Sequence, residues 1–364
     1  IPLVKQLIKL AKQQRSTSIA GFISARYQNS KLVALLITSV VVLAMLPYLS
    51  LQLDAISTSF DLFSTSDISQ SITINNKPIW LDTTLAVTLL MALFSIIFGT
   101  RHVDLTEHHN GLMLAVAFES IVKLISVCAV GIYVGYYLFD SPTHMLIEAF
   151  NNAKIQRVLA LPTSSDYSTA ILLGMAAILC LPWLFHVLVV ESNDHNDANT
   201  AQWVFPIYAV ILSFFLLLIL ISSVLYFQHQ TMNTDMVFLV IPMHENNISL
   251  ALLAYLGGIS AATSMIIVAT ITLSTMICND MVLPLVLRQK NFYLQTSGIG
   301  SSVLMIRRWA IAVILFMAYW FYRLVGSSGN LGAMGLVSIT LIVQLLPALI
   351  AALYWPKRHK YGVV

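Results

Sequence analysis

The sequence predicts an all-α integral membrane protein with about eight transmembrane helices, and three observations predict it. Charged residues make up 10% of the 364 residues, against roughly 25% in an ordinary soluble domain. Hydrophobic residues make up 58%, and the mean hydropathy is +0.83. The apolar residues also run on without alternating with polar ones. So few charges could not cover the surface of a soluble fold. Within lipid, long apolar runs satisfy their backbone groups as helices.

Eight segments are apolar enough to span: 31–53, 81–99, 111–138, 168–190, 204–227, 249–278, 309–325 and 331–354. They form one transmembrane domain over 31–354, preceded by an amphipathic segment, 1–30, and followed by a basic tail, 355–364. The loop 54–80 is rich in Ser, Thr, Asp and Asn, and its Ser71–Ile74 stretch alternates like a short strand. A surface helix is expected around Met145–Leu159. The first thirty-one residues carry six cations and no acid, with Leu3, Leu7 and Leu10 recurring. That pattern suits a membrane-surface helix or a partner-binding segment.

Counting Lys and Arg in alternate loops gives an orientation. Fourteen of the nineteen fall on one side, including Lys5, Lys9, Lys12, Arg15, Arg101, Arg307 and Arg308. Only Lys77, Lys154 and Arg157 fall on the other, while Lys123 and Arg323 lie within spans. The positive-inside rule then puts both ends in the cytoplasm, in a cell (inner) membrane. A net charge of +3 gives no argument for nucleic acid. Cys128, Cys180 and Cys278 lie in apolar runs without metal-ligand spacing and read as core residues. The chain opens on Ile1 rather than on Met and a signal peptide, so a piece of a longer protein is expected.

Several residues need an explanation. Glu119 and Lys123 lie four apart in the third span, either as a structural ion pair or as a polar relay lining a transport path. In Gly257-Gly258-Ile259-Ser260-Ala261-Ala262-Thr263-Ser264 the hydroxyls of Ser260, Thr263 and Ser264 share one helical face. Such a stripe suits close helix packing, or oxygen ligation of a hard cation such as sodium. The loop Thr100–His109 gathers three His and two acids, but without a recognised metal spacing. Pro182 precedes His186 by about one helical turn, and broken helices build many transporter sites. Tyr319, Trp320, Tyr322 and Arg323 read as an interfacial aromatic belt. No nucleophile–base pair, phosphate loop or kinase signature supports an enzyme within this chain.

Four stretches carry a resemblance. Ile19-Ala20-Gly21-Phe22-Ile23-Ser24-Ala25-Arg26-Tyr27 resembles the segment before the fourth helix of the sodium/solute symporter family, which includes the proline symporters. Thr100–Met113, Phe185–Glu191 and Leu256–Asp280 resemble a branch in which the symporter-like region is fused to a sensor histidine kinase. The resemblance implies an incomplete LeuT-type inverted-repeat fold, with the eight spans matching helices four to eleven of thirteen. Three helices would be missing before Ile1, two after Val364, and the kinase beyond them. It also implies a sodium site with the Gly257 carbonyl and the Ser260 hydroxyl, although Ala261 stands where a second hydroxyl is usual. Thr263 and Ser264 match a second sodium site, and Asp104 matches its acidic partner at a two-residue offset. The implied activity is transport or sensing of a small organic solute, an amino acid being the expected class. Glu119, Lys123 and His186 are candidates for the substrate path. The alternatives are a free-standing symporter and a receptor that keeps the fold without transport. No cofactor is expected beyond sodium, and the expected partners are lipid, solute and a fused kinase.

Overall fold

A computed structural model describes residues 2–64, 81–100, 110–160, 164–192, 197–227, 236–286, 299–325 and 331–355. The expected strand at Ser71–Ile74, Arg101, Asp104 and the His-rich loop, Lys77 and the basic tail lie outside them. The described residues form helices throughout: α1 Pro2–Gln13, α2 Ile19–Arg26, α3 Lys31–Ser64, α4 Thr83–Gly99, α5 Asn110–Tyr133, α6 Pro142–Asn151, α7 Ala153–Ala160 and α8 Ser164–Cys180. There follow α9 Pro182–Phe185, α10 Asp197–Tyr226, α11 Val237–His244, α12 Ile248–Met276, α13 Leu283–Val286, α14 Ile299–Val325, α15 Leu331–Val343 and α16 Leu346–Tyr354. Wider π-helical turns extend α5 over Val134–Leu138, α9 over His186–Glu191 and α12 over Ile277–Val282.

Six of these segments are long and apolar enough to cross a membrane alone: Lys31–Ser64, Met113–Leu138, Asn199–Tyr226, Ile248–Val286, Ser302–Val325 and Gly332–Tyr354. The expected span at 168–190 is a bent pair instead, with Tyr167–Cys180 and Pro182–Glu191 meeting at 49°. Proline explains the break. It lacks a backbone N–H and its ring opposes the preceding turn, and Leu181 before it is extended. α4 has seventeen residues, a length of roughly 25 Å, which is short of a hydrocarbon core of about 30 Å. The expected surface helix at Met145–Leu159 is two helices, parted at the extended Asn152.

Several spans run further than the apolar pattern suggests, α3 and α14 by ten residues or more. α3 continues past residue 53 to Ser64 because its polar residues find partners there. Thr58 donates to Asp54 at 2.9 Å, and Thr83 at the start of α4 donates to Asp61 at 2.8 Å. α14 begins ten residues before the expected 309, which draws Arg307 and Arg308 into a helix.

Hydrogen bonds sort the helix ends into two faces. On one face Lys12 Nζ donates to the Ser192 carbonyl at 2.8 Å, Arg26 Nε to Ala352 at 2.9 Å, and Arg308 Nε to Thr100 Oγ1 at 3.0 Å. On the other, Tyr319 donates to Asp82 at 2.9 Å, and Arg323 lies 3.5 Å from the same carboxylate. Asp82 itself caps α4 through the Thr84 N–H. These contacts correct the aromatic-belt reading: Tyr319 and Tyr322 are buried, and only Trp320 of the three rings faces outward. Between the faces α12 is the central helix, packed against α3, α4, α5 and α14.

Candidate functional site

The α5–α12 crossing brings most of the sequence-predicted residues together. The two helices run antiparallel, so a rising number on α5 meets a falling one on α12. Ser126 Oγ donates to the Leu253 carbonyl at 2.8 Å, and Ser260 Oγ reaches the Glu119 carbonyl at 3.4 Å. Gly257 makes the approach possible. A Cβ there would lie 2.3 Å from Ser126 Cβ and 2.4 Å from its Oγ, far inside ordinary contact. Small residues that let membrane helices touch closely do this work. Gly258, next in sequence, faces open space.

Along this crossing Glu119 and Lys123 are both half-buried. Among the described residues no ion pair joins them. The Glu119 carboxylate instead faces the Ser264 hydroxyl across the interface. A Glu–Lys pair on one helix gains only about 0.2–0.5 kcal/mol, so a contact to the neighbouring helix readily competes. Thr263 Oγ1 bonds back to Ile259 at 2.9 Å and Ser264 Oγ to Ala261 at 3.3 Å. The hydroxyl protons of Ser260 and Thr263 are thus turned to carbonyls, which leaves their lone pairs to accept or to ligate, while the single Ser264 proton has both the Ala261 carbonyl and the Glu119 carboxylate as acceptors. The result is a half-open stripe carrying a carboxylate, an ammonium and three hydroxyls inside apolar helices.

His186 keeps other company. It lies in the π-helical turn after Pro182, with Nε2 3.5 Å from Glu191 Oε1 and both side chains buried. Its Nδ1 is buried without a hydrogen-bond partner. Asp104 lies outside the described residues. Among those that are described, no group of three or more His, Cys, Asp or Glu side chains is placed to hold a metal ion.

A second polar junction was not anticipated from the sequence. Asp280, in the π-helical turn after α12, accepts from Ser18 Oγ at 2.6 Å. Asn279 Nδ2 donates to Thr17 Oγ1 at 3.1 Å. The Thr38 hydroxyl is fully buried and faces the Asp280 carboxylate without meeting hydrogen-bond geometry. Nearby, Arg307 is 4% exposed and lies against Cys278. The one local signal was at Ser18, a serine directly before an apolar run, which is a helix-start pattern. Ser18 does cap α2 through the Gly21 N–H at 2.8 Å.

Comparison with known proteins gives one distant likeness. The chain is 24% identical over 378 residues to the "Uncharacterized symporter YodF" of Bacillus subtilis (strain 168), an alignment covering 99% of the chain. The chain spans 66% of that relative's length. No family profile matches it, and no solved structure does. The protein is thus a helical membrane protein similar to one named a symporter.

Proposed function

We propose that the chain is the membrane region of a sodium-coupled symporter for a small organic solute, with an amino acid as the solute class and a LeuT-type arrangement of helices. The observation that carries this reading is the half-open stripe at the α5–α12 crossing. Charges at such depth are costly unless they line a polar path or find partners. An amino acid carries one ammonium and one carboxylate, which complement Glu119 and Lys123. Sodium prefers several oxygen ligands, and Ser260, Thr263, Ser264 and the Gly257 carbonyl offer them, with Asp104 as acidic partner. Occupancy by both would favour one conformation, and rocking of the helices would alternate access to the stripe. By the positive-inside rule the face holding α1 is cytoplasmic.

Uptake of labelled amino acids into proteoliposomes, with and without a sodium gradient, tests this. Ser260→Ala should lower sodium-dependent uptake severalfold while leaving the amount of folded protein unchanged. Unaltered sodium dependence would remove Ser260 from the ion site. Glu119→Gln should cut uptake at least tenfold with little change in abundance, whereas equal losses of both would make Glu119 structural.

One feature favours a second reading. Ala261 lacks the hydroxyl that a full sodium site of this kind would use, which suits a solute-sensing input domain, with or without a fused histidine kinase. Solute binding without uptake would support it.

A further inference from the structure

We propose that the lysine face of α1 is a binding surface for the headgroups of anionic phospholipids. At 100° per residue, Lys5, Lys9 and Lys12 of α1 fall within an arc of about 60°. Leu7 and Ala11 lie on the other side of the helix and Ile8 on its flank, and all three are buried in the protein core. The apolar face is therefore already covered by protein, so inserting it into lipid is not what this helix is shaped for. What remains outward is a cationic ridge. Lys5 and Lys9 are exposed, and so is Arg15 just past the helix, while Lys12 is tied to Ser192.

The position of α1 selects the partner. Its principal neighbours are the π-helical end of the broken span and the last helix, α16. The π-helical end is itself buried or half-buried, while the long helices joined to it carry exposed apolar residues. α8 leads into that broken span and exposes Ile171, Leu172 and Met175, and α16 exposes Ile350. The ridge thus lies at the rim, below helices whose apolar sides face outward. At the end of α16, Tyr354 and Trp355 are exposed at 52% and 64%, and exposed Tyr and Trp mark headgroup level. Arg26 Nε donates to Ala352 at 2.9 Å and Tyr27 to Ala348 at 3.3 Å, which pins α2 to α16 and holds the whole shelf at that level. Cations on a rigid shelf, at headgroup depth and on the lipid-facing rim, meet the phosphates of anionic lipid directly. This inference does not depend on what the protein transports.

The experiment uses the full chain in neutral detergent, titrated with phosphatidylglycerol or phosphatidylcholine while its thermal midpoint is followed. Phosphatidylglycerol should stabilise the protein far more than phosphatidylcholine, and added salt should weaken the effect. The triple variant Lys5→Gln, Lys9→Gln, Arg15→Gln changes only exposed side chains and should fold normally. At about fivefold per cation near an anionic surface, it should lose roughly a hundredfold in apparent affinity for phosphatidylglycerol. Equal stabilisation by the two lipids would overturn the proposal, as would an unchanged affinity in the variant. A polyglutamate peptide that binds as tightly as phosphatidylglycerol, and is lost in the same variant, would also overturn it by assigning the ridge to a soluble acidic partner.

Discussion

Gly257→Leu is expected to leave little folded protein, and Gly257→Ala is expected to lower the thermal midpoint clearly. The atom a Cβ would strike is Ser126 Cβ, 2.3 Å away. That atom is fixed to the backbone of α5 and cannot swing aside as a flexible side-chain tip would. The Lys123 Cα lies 3.9 Å from the same point, so α5 and α12 must separate as bodies. Overpacking of this kind costs about 1–3 kcal/mol. Separation also breaks the Ser126–Leu253 hydrogen bond, worth about 1 kcal/mol more. Gly258→Ala is the control, because it meets nothing within 4 Å and gains helix propensity. Ser126→Gly removes the struck atom and should restore much of the loss in a Gly257→Ala background. Thermal unfolding in detergent, with size-exclusion profiles, reads all four proteins. A Gly257→Ala midpoint equal to wild type would mean that the close approach is not required for the fold. Because Glu119, Ser260 and Ser264 meet across the same crossing, uptake should fall before stability does in mild variants.

The spans were legible because a lipid solvent demands long apolar runs and leaves few alternatives. Their ends were less so, for a reason visible at α3. Asp54, Ser57, Thr58 and Asp61 read as loop chemistry, yet each has a partner on α3 itself or on the start of α4. A helix can run on through polar residues whenever its neighbours satisfy them. The same holds at Tyr319, which the sequence pattern places at an interface although its hydroxyl donates to buried Asp82.

Helical periodicity placed the hydroxyls of Ser260, Thr263 and Ser264 on one face, and one-helix geometry placed Glu119 near Lys123. Neither reveals which helix lies opposite. The pairing of α5 with α12 joins residues 127 and 141 positions apart. Its only local trace was Gly257, whose need for a small side chain reads equally well as packing or as function. At Pro182 the break was legible from proline chemistry, while the buried His186–Glu191 contact that follows depends on a wider turn no pattern announced.

Asp280→Leu is expected to release the α1–α2 shelf from the end of α12. Asp280 takes the Ser18 hydroxyl at 2.6 Å, and Ser18 in turn holds the first turn of α2 through Gly21. A hydrogen bond to a charged group contributes about 1.5–3 kcal/mol. The neighbouring Asn279–Thr17 bond should weaken with it. Leucine would also leave the Ser18 and Thr38 hydroxyls facing an apolar group. Asp280→Asn keeps an acceptor for Ser18 and should show a smaller effect in the same direction. Cys278 provides the readout, since its thiol is fully buried at this junction. In a background with Cys128 and Cys180 replaced by alanine, maleimide labelling of Cys278 should rise at least tenfold in Asp280→Leu and less in Asp280→Asn. Hydrogen exchange over residues 14–27 should quicken in the same order. If labelling and exchange match wild type in both variants, the shelf is held by the apolar contacts of Ile19, Phe22 and Ile23 and by the hydrogen bonds from Arg26 and Tyr27 to α16, and Asp280 does not anchor it.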